Sequence, residues 1–131
     1  RRHAKSTVPR VGLQIQCNDK KLFHQVIESS IKWQNSKQLM YVVGANHTDL
    51  ISNIREIVPD NFLLIPGVGA QGGNLREISQ VAMNDKCGII VNSSRSIIYS
   101  SSGKDFDKAA SISAEKIKDQ MENFLKEKKI I

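Results

Sequence analysis

Apolar positions recur along this chain in two alternating ways, as short unbroken runs and as longer stretches in which they return every three or four residues. The runs Leu39 to Val43, Phe62 to Ile65 and Gly88 to Val91 have the continuous apolar character of strands buried on both faces. Between them, Lys21 to Trp33 sets Leu22, Phe23, Val26, Ile27 and Ile31 along one side of a helix, and Asp49 to Val58 does the same with Leu50, Ile51, Ile54 and Ile57. Asn74 stands three residues before Glu77, a spacing at which each side chain can satisfy a free backbone donor of a helix's first turn. Ile78, Val81 and Ala82 give that helix its apolar side. A last helix is predicted from near Asp105 to about Lys126, with Phe106, Ala109, Ala110, Ile117, Met121, Phe124 and Leu125 along its buried stripe. Its lysine-rich end suits the negative pole of the helix.

The predicted order is therefore helix, strand, helix, strand, helix, strand, helix, the alternation of a parallel α/β architecture. Residues 1 to 10 differ. They carry no strand pattern, and Pro9 discourages regular structure, so this stretch is expected to be a loop cut from whatever preceded it.

Length and charge refine this picture. A chain of 131 residues suits one domain, whereas a complete barrel of eight strand-helix units takes about 250 residues. Any barrel reading must treat residues 1–131 as a single incomplete domain, with 11–131 holding the helices and the last three strands. No apolar run is long enough to cross a bilayer, and Arg1, Arg2 and His3 lack the apolar core of a signal peptide. A cytoplasmic protein with no membrane partner is expected. Cys17 and Cys87 have no companion ligands, and His3, His24 and His47 share no metal-binding spacing, so free buried thiols are expected and no metal. The net charge of +6 could suit nucleic acid, but the lysines are dispersed along helices and gathered at the tail. Small anions account for it equally well.

The chemistry concentrates after two of the strands. Pro66-Gly67-Val68-Gly69-Ala70-Gln71-Gly72-Gly73 follows one strand directly and precedes the capped helix. Glycines there let the backbone turn sharply and approach a ligand, and amides from the turn and the helix start are expected to face one anion. A glycine-rich turn with no ligand remains the alternative. Gly67, Gly69 and Gly72 match a dinucleotide-type spacing, although no acidic ribose-binding residue follows. The second cluster, Val91-Asn92-Ser93-Ser94-Arg95-Ser96, also ends a strand. Its hydroxyls can meet a phosphate, and Arg95 can grip one with two parallel bonds. Together the two clusters suggest the barrel phosphate site built from the loops after strands seven and eight.

These stretches, Phe62 to Gly73, Gly88 to Arg95 and Ile97-Ile98-Tyr99, with Tyr41-Val42-Val43-Gly44-Ala45 upstream, resemble the C-terminal part of orotidine 5'-phosphate decarboxylase. The resemblance implies a (β/α)8 TIM barrel acting as a dimer, which converts orotidine monophosphate to uridine monophosphate and carbon dioxide in pyrimidine biosynthesis, with no metal or organic cofactor. On this resemblance Gln71 would bridge the phosphate and pyrimidine ends of the nucleotide. Arg95 would hold the phosphate with the backbone of Ser94, while Gly69 and Gly72 form the turn. Pro66 and Val68 would line the base pocket, and Thr7 would stand near the pyrimidine.

The departures bear on activity. The family's Asp-x-Lys-x-x-Asp pattern, which carries the proton-donating lysine, does not occur in the sequence. Lys104-Asp105-Phe106-Asp107-Lys108 is a solvated helix start instead. Asn46 and His47 stand where the family has a threonine and a basic residue. Two readings follow: a binding segment of the decarboxylase, inactive until joined to the missing strands as a homodimer or with the missing barrel half, or a non-catalytic module for nucleotides or sugar phosphates. Nucleic-acid binding ranks last.

Overall fold

The structure, a computed structural model, describes residues 16–17, for which only the backbone is treated, together with 20–69 and 73–131. Its contacts fall into two compact units that divide between Ser36 and Lys37.

In the first unit, β1 (Gln16–Cys17) pairs antiparallel with β2 (Lys20–Lys21), and α1 (Leu22–Ser30) follows at once. The helix is shorter than the apolar pattern suggests. Ser30 Oγ donates to the Ile27 carbonyl at 2.7 Å, and the Trp33 amide turns back to Ser30 O at 3.1 Å. Trp33 thus lies beyond the helix and is 62% exposed. The antiparallel strand pair had no signature in the sequence pattern.

The second unit is built on a parallel sheet in the order β3 (Tyr41–Val42), β4 (Leu63–Pro66), β5 (Ile89–Asn92). Between the strands run α2 (Thr48–Ile57) and α3 (Leu75–Ala82), and after them α4 (Ser94–Ile98) and α5 (Phe106–Glu127). Strand and helix alternate as expected over this unit, with the short α4 added. Ile51, Ile54 and Val58 are buried along α2, and Leu75, Ile78, Ser79 and Ala82 along α3, the spacing of a single helical face. Val58 leaves the helical conformation, at φ −124°, because Pro59 follows and crowds an α-helical residue before it.

Leu63, Ile65 and Ile89 are buried on one sheet face. The opposite face corrects the expectation of strands covered on both sides. Val42, Leu64 and Ile90 stand in one cross-strand row, and Val42 is 70% and Ile90 45% exposed. Burial on α5 centres on Phe124, while Phe106, expected on the stripe, is exposed. Cys87, expected to be buried, is a half-buried free thiol; the Cys17 side chain and residues 1 to 10 lie outside the described residues.

At the amino ends of β4 and β5 a single side chain gathers the loose ends of the fold. Arg55 donates from Nε to Ala82 O at 2.8 Å, from Nη1 to Val58 O at 2.9 Å and Asn61 O at 2.7 Å, and from Nη2 to Gly88 O at 2.8 Å. The last carbonyls of a helix have no partner within it; one guanidinium here serves those at the ends of α2 and α3 together with those that lead into two strands. Lys128 does similar work for α3, donating to Met83 O at 2.9 Å.

Candidate functional site

The register of the sheet places the site. Pro66 pairs with Asn92, so β4 and β5 end side by side and their following turns leave from one edge. The Ala45 amide donates to Pro66 O at 3.3 Å, which joins the segment after β3 to the same edge.

The turn after β4 needs its glycines. Gly67 and Gly69 take φ of 89° and 79°, a region that costs other residues strain. Gly73 is required by proximity: a Cβ there would lie 2.4 Å from the Ala45 Cβ and 3.1 Å from Gly67 O. Val68 and Gly73 bridge in parallel, and the Gly69 amide donates to Gly73 O at 3.1 Å. This bond changes one expectation, since that amide closes the turn instead of facing an anion. Asn74 caps α3 as its spacing suggests, its Oδ1 accepting from the Arg76 amide at 3.0 Å. Glu77 returns to the Asn74 side chain, at 2.8 Å from Nδ2, and not to its backbone.

Two loops meet across one opening of about 200 Å³, which Pro66, Gly67 and Val68 line from one side and Asn92, Ser94 and Arg95 from the other. Of the residues singled out in the sequence, the fold brings Pro66, Val68, Ser94 and Arg95 to this opening. Val68 is buried, while Ser94 and Arg95 are exposed. The Ser94 hydroxyl donates to Asn92 Oδ1 at 2.8 Å. Arg95 takes no part in the ion pairs among the described residues. Gly69 instead lines a neighbouring opening of about 260 Å³ toward α4 and α5. Gln71, Gly72 and Thr7 lie outside the described residues.

Sequence reasoning set Ser93 among hydroxyls that could meet a phosphate and missed its part in joining the two turns. It is buried, and its hydroxyl donates to Val68 O at 2.9 Å, binding the two turns to each other. A polar residue at a strand end is a faint signal, because the carbonyl it meets lies 25 residues away. Tyr99, at the end of the resembling stretch, is 75% exposed. His47, in the segment after β3, ends on the helix start of α2 with no side-chain capping bond.

No family model matches the chain. Among curated proteins, orotidine 5'-phosphate decarboxylase of Flavobacterium johnsoniae is 50% identical over 111 residues, covering 85% of this chain and 41% of that protein. The enzyme of the same name from Porphyromonas gingivalis is 50% identical over 110 residues, covering 84% and 40%. The chain thus spans about two-fifths of the length of these relatives. Among solved structures, UMP synthase of Leishmania donovani superposes with a TM-score of 0.66 at 27% identity, over 82% of this chain and 24% of that one. A putative orotidine-monophosphate-decarboxylase from Plasmodium yoelii gives 0.65 at 25% identity, over 88% and 36%. The parallel strands and helices described above are part of the TIM barrel of these neighbours.

Proposed function

We propose that this chain, a homologue of part of orotidine 5'-phosphate decarboxylase, is the phosphate- and nucleotide-binding segment of that carboxy-lyase. The observation that carries the reading is the opening that Pro66, Gly67 and Val68 of the turn after β4 line together with Ser94 and Arg95 of the loop after β5. A phosphoryl group held there is gripped by Arg95 and the Ser94 backbone, with Pro66 and Val68 beside the base and Gly69 in the turn; the resemblance would give Gln71 the bridge from phosphate to pyrimidine, Gly72 a part in the turn and Thr7 a place near the ring. Fixing the phosphate, far from the reacting carbon, holds the ring in place for chemistry supplied elsewhere.

On this reading residues 1–131 belong to one incomplete domain. The open row Val42, Leu64 and Ile90 is the kind of surface that a barrel turns inward and fills with side chains from other strands. On this reading further strands, on the same chain or on another, cover that row. Alone it does not turn over substrate, because the lysine pattern that donates the proton is absent from the sequence.

Titration of the chain with uridine monophosphate tests the site. A charge-assisted bond to phosphate contributes about 1.5 to 3 kcal/mol, so Arg95→Ala should weaken binding by roughly 10- to 150-fold, and Gln71→Ala should weaken it as well. Binding unchanged in both variants refutes the assignment. A steep salt dependence indifferent to Gln71 would favour nucleic acid instead.

A further inference from the structure

The two half-cradles are joined by hydroxyls that the nucleotide reading does not use. Ser93 is 7% exposed, and its Oγ reaches Val68 O at 2.9 Å while it is also hydrogen-bonded to Ser96 Oγ. A serine hydroxyl has one proton to give. Since a carbonyl can only accept, the Ser93 proton goes to Val68, and Ser96 must donate to Ser93. Ser113 of α5 then donates to the Ser96 carbonyl at 2.9 Å. The Ser96 and Ser93 hydroxyls thus lead in series to the backbone of the glycine turn, while Ser113 separately ties the α4 backbone to α5.

We propose that Ser93 is a positioning residue of the phosphate site, its buried hydroxyl fixing the Val68 carbonyl and thereby the distance between the turn after β4 and the Arg95 loop. Val68 and Ser93 both line each of the two openings, so they form the wall that separates them. Backbone pairing cannot do this work. The ladder between β4 and β5 ends at Pro66 and Asn92, and beyond it the two turns are free to part unless a side chain crosses. The turn also carries glycines at positive φ, which are the positions least able to hold a conformation unaided. Removing the Ser93 hydroxyl takes from the buried Val68 carbonyl the side-chain donor that crosses to it, a costly loss for a buried group, and frees the half-buried Ser96 hydroxyl to turn elsewhere.

The inference rests on the nucleotide reading, and the experiment separates the two. Affinities for uridine monophosphate and for uridine are measured on the chain and on Ser93→Ala and Ser93→Thr, with amide hydrogen exchange at Gly69 followed in the same samples. Threonine keeps the hydroxyl, and the residue it replaces borders both openings. Ser93→Ala should lower affinity for the monophosphate about tenfold, leave that for uridine unchanged and speed Gly69 exchange; Ser93→Thr should restore both readouts. Equal losses for nucleotide and nucleoside would mean general destabilisation and overturn the proposal. So would unchanged Gly69 exchange in Ser93→Ala, or a Ser93→Thr chain that behaves like the alanine variant. If the unaltered chain fails to distinguish the monophosphate from uridine, the nucleotide reading fails, and Gly69 exchange alone still decides whether Ser93 holds the turn.

Discussion

Replacing Arg55 with alanine should cost this fold about as much as opening a large cavity in its core, without removing any apolar contact of note. The guanidinium serves the carbonyls of Ala82, Val58, Asn61 and Gly88, and also that of Pro59 at 3.1 Å. Pro59 is exposed and Asn61 half-buried, so water can take over there. Val58 and Ala82 are 1% and 0% exposed, and Gly88 is buried. Each buried acceptor left without a donor costs about 1 to 3 kcal/mol. Gly88 O keeps the Leu63 amide at 2.9 Å, so two such acceptors remain and cost about 2 to 4 kcal/mol together, a sizeable share of the roughly 5 to 15 kcal/mol that holds a domain folded. Burial lowers the Arg55 pKa, and Asp60 and Cys87 oppose that shift; a guanidinium nevertheless stays charged at any ordinary pH, so the loss should not vary with pH. Urea unfolding followed by circular dichroism provides the assay. With a slope of about 1 to 3 kcal/mol per molar urea, the midpoint should fall by roughly 2 M. Arg55→Lys should lose about half as much, because an ammonium cannot span the same carbonyls. Arg55 lies at the opposite strand ends from the candidate site, so the folded fraction should bind uridine monophosphate as before. A midpoint for Arg55→Ala within about 0.5 M of the parent would refute the reasoning.

Gly73→Ala should strain the turn, since its Cβ would lie 2.4 Å from that of Ala45; a stability loss of about 1 to 3 kcal/mol is expected in thermal melts. Adding Ala45→Gly should recover most of it, and a double variant no better than Gly73→Ala would exclude steric conflict as the cause. The Glu28 carboxyl, whose pKa is lowered chiefly by its hydrogen bond from Lys20, should titrate below the usual glutamate range by NMR. Because the folded-state value is depressed, its small contribution to stability is present above the unfolded-state value and disappears as pH falls through the folded one. High salt should move the midpoint back toward the ordinary value, as for an exposed ion pair.

Local physics made much of the second unit readable from residue order alone. Strands at Tyr41, Leu63 and Ile89 and helices after them follow from apolar runs and a three-to-four residue rhythm, both properties of neighbouring residues. The glycine turn and the Asn74 cap were legible for the same reason: φ preference and first-turn donors are settled within a few positions. Pairing Pro66 with Asn92, which makes one opening from two turns, needs only the short right-handed crossover that a parallel sheet imposes. Other features were decided by the folded molecule. The antiparallel pair at Gln16 and Lys21 is too short to show a period, and α4 is too brief for one. Ser93 and Arg55 look ordinary in the sequence because their partners are backbone carbonyls up to 33 residues distant, and every residue type carries the same carbonyl. The open face of Val42, Leu64 and Ile90 was likewise hidden, since an apolar run records a preference for burial and not whether anything covers it.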